Sequence, residues 1–189
     1  MTDRKNLKIL AFVGLPGAGK SAAVDYFTDK GYPKVYFGGV VFQAMRDEGI
    51  EITPHSEKAF RTSFRERYGK DVVVKSIIEQ IHNLADAGQH HIIADGLYTW
   101  TEYKALQHAF PGSLTVVAVV APRHVRYHRL AQRPIRPFTA QQSYDRDVHE
   151  IENLEKGGPI AIADHYVIND GSIKELNVQL NTLAKDLNF

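Results

Sequence analysis

One run in the chain has residue types and spacing that spell out a chemistry: Gly14-Leu15-Pro16-Gly17-Ala18-Gly19-Lys20-Ser21. Glycine, four residues, glycine, lysine and then a hydroxyl is the pattern of a loop that wraps phosphate groups, the P-loop. Its glycines let the backbone curl until N–H groups point inward at anionic oxygens. A helix starting at the lysine adds the positive end of its dipole to the same spot. Lys20 then reaches the β- and γ-phosphates of a nucleoside triphosphate, and the Ser21 hydroxyl can ligate Mg²⁺. Expected phosphate contacts cover Gly14, Gly17, Ala18, Gly19, Lys20, Ser21 and Ala22.

Such a loop works with an acid that holds the metal, directly or through water. Asp95, at the end of the apolar run His91-Ile92-Ile93-Ala94, is placed for that. The alternative is an Asp-Gly turn whose carboxylate bonds its own backbone. A second signal is Arg123, Arg126, Arg129, Arg133 and Arg136, with no acid among them before Asp145. On a helix, Arg126, Arg129 and Arg133 lie close to one face. An isolated stripe of this kind is a solvated surface. Beside a phosphate loop it reads as a lid, whose cations stabilise the transferring group and exclude water. Arg133 is the catalytic candidate within it. Arg46, Arg61, Arg65 and Lys75 are candidates for an acceptor's phosphate, with Arg46 and Arg65 favoured, and Tyr98 could face the acceptor. His124 and His128 have metal-ligand helical spacing but no third ligand nearby.

The elements that position these residues follow from apolar periodicity and turn residues. Strands are expected at Lys8–Val13, Lys34–Phe37, 91–95, 114–121 and 166–168. The second is expected to end at Gly38-Gly39. The first is apolar throughout after Lys8, as strands buried on both faces are. Helices are expected over Lys20–Thr28, over 40–47, from Pro54 to Tyr68 behind a Thr53 cap, and over a stretch striped by Val74, Ile77, Ile78, Ile81 and Ala85. Capping-box patterns open three more, at Thr99, Thr139 and Ser172. The helix from Thr139 is expected to run to Lys156 and stop at Gly157-Gly158-Pro159. Five apolar strands alternating with helices mean a parallel sheet covered on both sides. The strand ends then form one edge, where ligands bind.

Composition excludes several classes. With 189 residues the chain fits one domain, spanning 1–189. A net charge of +1 gives no general attraction to nucleic acid or to membrane surfaces. No cysteine is present, which rules out disulfides, thiolate metal sites and cysteine nucleophiles and fits a reducing compartment. The N-terminal stretch is polar and no run is apolar and long enough to span a bilayer, so a cytoplasmic location is expected.

In order and spacing, the P-loop, Asp95-Gly96, Arg129-Leu130-Ala131-Gln132-Arg133 and the late Asn169-Asp170-Gly171-Ser172 resemble the nucleoside-monophosphate kinase group of P-loop proteins. Within it the chain is similar to adenylate-kinase-related and dephospho-CoA-kinase-like members. The resemblance spans essentially the whole chain. It implies an α/β/α fold with strand order 2-3-1-4-5, a helical acceptor-binding insert over 38–70 and a short lid region over 123–157. It implies ATP and Mg²⁺, with Arg129 against the adenine, Arg133 near the phosphates, and the turn containing Asn169 and Gly171 on the adenine edge. It also implies a small nucleotide-like acceptor, with no nucleic-acid or membrane partner. Dephospho-CoA kinases usually carry an aspartate after the second strand as base for a hydroxyl. Here that stretch is Gly38-Gly39-Val40, which favours an already ionised monophosphate acceptor. A regulatory ATPase without a metabolite acceptor and a nucleic-acid 5′-end kinase are the competing classes. The near-zero charge disfavours the latter.

Overall fold

The computed structural model describes residues 6–135 and 137–189, leaving aside the side chains of Pro54, His55 and Lys58. Arg136, the last arginine of the stripe, and the polar start of the chain lie outside the described residues. The elements run β1 (Lys8–Val13), α1 (Lys20–Thr28), β2 (Lys34–Tyr36), α2 (Phe37–Asp47), α3 (Pro54–Tyr68), α4 (Val72–Asp86) and β3 (His91–Asp95). They continue as α5 (Trp100–Ala109), β4 (Leu114–Val120), α6 (Arg123–Ala131), α7 (Ala140–Glu152), α8 (Gly157–Ala161), β5 (His165–Ile168) and α9 (Ile173–Asp186).

The sheet order is β2-β3-β1-β4-β5, with every neighbouring pair parallel. The central strand shows why its sequence lacks alternation. Ile9, Ala11 and Val13 enter a core built with Val41 and Met45 of α2, Ile77 and Ile81 of α4 and Leu106 of α5. Leu10 and Phe12 enter a second core with Val24 and Phe27 of α1 and Leu176, Leu180 and Leu183 of α9. Each face is covered, so both sets of side chains are apolar. Burying a large side chain of this kind contributes about 1.5–3 kcal/mol. Phe12 and Phe27 also pack as tilted rings with centroids 5.7 Å apart.

Local signals hold closely. The boxes opened by Thr99, Thr139 and Ser172 form with reciprocal side-chain and backbone bonds, and Thr53 caps α3. Two expected boundaries are corrected. Gly38-Gly39 does not end β2; both residues lie in α2, which starts at Phe37. The Tyr36 ring folds back over this turn, and a Cβ at Gly38 would sit 2.5 Å from its Cζ, so the glycine makes room rather than breaking the chain. The helix after Thr139 stops at Glu152, and Gly157-Gly158-Pro159 opens the short α8 instead of ending α7. Proline is tolerated in a first helical turn, whose N–H groups have no helical partner. Between them Glu155 takes a left-handed φ of 52°, uncommon for a residue with a side chain.

Candidate active site

Parallel strands place their carboxyl ends on one edge. The loop after β1 lies there, and Asp95 stands beside it, in register with Phe12 on one side and Tyr36 on the other. Gly17 has φ 78° and Gly19 φ 102°, conformations that side chains rarely adopt. Gly17 has a second reason to be glycine. A Cβ there would lie 2.6 Å from the backbone oxygen of Arg126, so α6 packs directly on the loop.

The Lys20 ammonium is folded into this loop and donates to the carbonyls of Gly14 at 2.7 Å and Leu15 at 3.3 Å. Burial, followed by the nearby Lys156 ammonium, brings its pKa down from 10.5 to about 7, with Glu150 and Asp95 opposing and Arg133 adding to the fall. The Ser21 residue is exposed at the start of α1. The Asp95 carboxyl is raised by burial, against the pull of Lys34 and Lys20. Among the described residues no hydrogen bond reaches the Asp95 carboxylate, so a turn that satisfies itself does not explain it. A loop curled through glycines of positive φ, a lysine folded into it, an exposed serine and a desolvated acid fit a magnesium-bound triphosphate. Ser21 and Asp95 would hold the metal, which usually keeps several waters and takes one or two protein ligands besides phosphate. Among the described residues no group of three His, Cys, Asp or Glu forms a denser metal site, and His124 and His128 gain no third ligand.

Arg129 and Arg133 are separated by the fold. The helix ends at Ala131, so Arg133 lies beyond it and does not share a helical face with Arg129, because the ladder stops one turn too early. Arg133 is exposed, and its charge reaches Lys20. Arg129 instead holds the turn after β5, donating to the carbonyls of Asn169 at 2.8 Å and Gly171 at 3.1 Å. Asn169 in turn donates its side-chain amide to the Ala18 carbonyl at 2.7 Å.

Arg126 is not a lid residue reaching for phosphate. It is buried and forks onto Asp147 of α7 at 2.8 and 2.6 Å, while the same guanidinium donates to the Pro16 carbonyl at 3.0 Å. It fastens α7 and the P-loop together. Sequence reasoning missed Asp147, since nothing near it in the chain marks a partner 21 residues away.

On the β2–β3 side, Arg65 approaches Glu102 at 3.5 Å. Glu102 is buried and accepts from the backbone of Tyr98 at 2.9 Å and Thr99 at 3.0 Å. Burial pushes the Glu102 carboxyl up, and those two bonds with Arg65 and Arg61 counter it. Tyr98 is raised by burial and sits within the fields of Tyr36, Glu150, Arg61 and Asp95. Arg61 is thus on the cleft side, paired with Glu57 at 2.8 Å. Arg46 is not brought there: it is exposed on the last turn of α2 and bonded to Gln43. Lys75 is likewise outside, paired with Asp71.

The buried pair Glu150–Lys156, at 2.5 Å, also had no signal in the sequence. Lys156 is wholly buried, with its ammonium 4.3 Å from the centre of the Tyr98 ring.

A parallel sheet in this order, a phosphate loop after the first strand and an acid after the third define a protein of the P-loop kinase fold. The chain belongs to the AAA domain family, whose model matches residues 10–155. It is 31% identical to a UPF0200 protein of Thermococcus gammatolerans, covering 95% of this chain and 95% of that one. A shikimate kinase of Bacteroides thetaiotaomicron shares the architecture with a TM-score of 0.58 at 13% identity, covering 96% of this chain and 99% of that one. A gluconokinase of Sinorhizobium meliloti does so with a TM-score of 0.57 at 18% identity over 96% of each. At such identities the likeness is one of fold. No helix among the described residues is long and apolar enough to cross a membrane.

Proposed function

We propose that the chain is an ATP- and Mg²⁺-dependent phosphotransferase that moves the γ-phosphoryl group of ATP to a small nucleotide-like acceptor, a nucleoside monophosphate first among them. The observation that carries this is convergence on one sheet edge. Lys20 and Asp95 lie within each other's field there, Arg129 clasps the turn after β5, and Arg61 and Arg65 meet the acceptor side from α3. In this reading Lys20 neutralises the β- and γ-phosphates, Ser21 and Asp95 hold the metal, and Arg133 closes on the transferring group. The 123–157 segment is its lid, and the helices following β2 form the acceptor side. Such catalysis is positioning plus electrostatic stabilisation, with no covalent step asked of the protein.

A hydroxyl acceptor of the dephospho-CoA type is the second reading, and one observation favours it. Arg61 and Arg65 are already engaged by Glu57 and Glu102, which leaves less free charge for an acceptor's phosphate. The fold neighbours named for shikimate and gluconate point the same way by analogy alone.

The test is ADP formation from Mg·ATP with a panel of nucleoside monophosphates, dephospho-CoA and small hydroxy acids, and with no acceptor. Turnover raised by one acceptor class supports the kinase reading and names the class. Hydrolysis indifferent to every acceptor would replace it with a regulatory ATPase.

A further inference from the structure

We propose that Lys156 is a second phosphate-binding cation of this site, held on the acceptor side of Lys20 by Glu150, and that it acts on the terminal phosphoryl group of the bound triphosphate. The proposal rests on the nucleotide reading above and adds a residue that its P-loop does not contain.

The pair Glu150–Lys156 lies inside the protein, away from solvent. Two charges removed from water cost more than an apolar pair of similar volume, and replacing such pairs is often neutral or stabilising. Burial pushes Glu150 up, but the ammonium and hydrogen bond of Lys156, then Arg146, more than offset it and hold the carboxylate below its usual range. Burial pulls Lys156 down against the opposing charge of Glu150. The carboxylate is fully engaged, with one oxygen taking Arg146 at 2.9 Å and the other Lys156.

Geometry then fixes the side of the cleft. Lys156 lies over the Tyr98 ring, three residues past Asp95, so it stands toward β3. The adjoining Gly158 packs against Trp100, where a Cβ would fall 2.6 Å from the indole Cε3. Arg129 and its partners Asn169 and Gly171 stand toward β5 instead. The loop thus has a cation on each flank, and the Lys156 flank is the one the acceptor side shares. Lys156 is also close enough to Lys20 to act on it more strongly than any other charge. In the fields around Lys20, Glu150 and Lys156 stand four cations (Lys20, Lys156, Arg146 and Arg133) and three carboxylates, Glu150, Asp95 and Glu102, the last of which also lies in the fields of Arg65 and Arg61. That surplus of positive charge suits a polyphosphate.

The experiment compares ATP and ADP dissociation constants, with Mg²⁺, for the wild type and for the double variant Glu150→Leu/Lys156→Met, which keeps the packing and removes both charges. A cation on the terminal phosphoryl group matters for ATP and hardly for ADP. The expected result is a folded protein whose ATP constant rises at least about tenfold while that for ADP stays within about twofold, and whose single-turnover transfer falls by about 10²-fold. A folded double variant with an unchanged ATP-to-ADP ratio and unchanged transfer would overturn the proposal and leave the pair as a pin between α7 and α8. Should that variant fail to fold, Glu150→Gln/Lys156→Gln decides, because it removes both charges at nearly constant side-chain length and leaves neither one buried without its partner. Its ATP constant should rise relative to that for ADP, and an unchanged ratio overturns the proposal. Wild-type protein that binds ATP but transfers to no acceptor removes the kinase reading, and the ratio alone then tests Lys156.

Discussion

Asn169 donates its side-chain amide to the carbonyl of Ala18 at 2.7 Å, across 151 positions of chain. It is buried, and its own carbonyl accepts from Arg129. One side chain thereby ties the turn after β5 to the middle of the phosphate loop. A buried carbonyl that loses its donor costs about 1–3 kcal/mol. Asn169→Ala should raise the Kd for ATP about tenfold by leaving the loop less ordered. Equilibrium titration with ATP checks this, and an unchanged Kd would mean that the loop holds its shape without the amide.

Lys20→Ala should leave the fold intact and lower phosphoryl transfer by at least about 10²-fold, the scale of one lost transition-state contact. The lysine also gives a pH signature. Its pKa falls to about 7 in the folded chain from an ordinary 10.5, so between those values the unfolded chain binds the extra proton. Stability conferred at this position therefore rises as pH climbs through that window and is lost as pH falls toward 7. Urea unfolding at several pH values should show this slope in the wild type and a shallower one in Lys20→Met. Parallel slopes would place the perturbed group elsewhere.

Asp95→Asn should impair Mg²⁺-dependent activity more than metal-free nucleotide binding. Activity against Mg²⁺ concentration, set beside ATP binding in chelator, separates the two. Equal loss of both would return Asp95 to the role of a turn residue.

Arg133→Ala should depress kcat far more than it raises the Kd for ATP, since its guanidinium is exposed and has no hydrogen-bond partner among the described residues. An arginine supplied in flight is worth about 10³–10⁵ in rate in P-loop enzymes. Arg129→Ala should show more of its loss in binding, because Arg129 holds the Asn169–Gly171 turn. Arg133→Lys should restore transfer only in part, as an ammonium lacks the planar fork. Single-turnover transfer at saturating ATP is the measurement, and full transfer by Arg133→Ala would make that residue part of a solvated surface.

Among the described residues, Arg126→Met leaves the buried Asp147 carboxylate with the Tyr127 hydroxyl at 3.2 Å as its remaining side-chain partner. Breaking a buried pair in this way costs about 3–5 kcal/mol. Arg126→Met/Asp147→Leu should recover most of that loss in urea midpoints. ATP binding should stay weakened, since the bond to the Pro16 carbonyl is gone in both variants. Equal midpoints for the single and double variants would argue that the pair is not what holds α7.

The sequence by itself determined what neighbours in the chain can decide. The glycine spacing from Gly14 to Gly19 sets a backbone path that few other residues allow. The boxes at Thr99, Thr139 and Ser172 close within one helical turn. The unbroken apolar run of β1 requires cover on both faces. Those signals placed the P-loop, Asp95 and the alternation of strands and helices. Tertiary structure decided the rest, because it depends on which ends meet across the sheet. Arg126 was legible as a basic residue, but the carboxylate that engages it is 21 positions away. Arg129 and Arg133 looked like one face until the helix ended between them. Lys156 sat at what read as a helix terminus, and the left-handed turn at Glu155 folded it back onto Glu150. A buried charge is recognised by its partner, and here the packing of α6 on α7 and the turn after α7 bring the partners together.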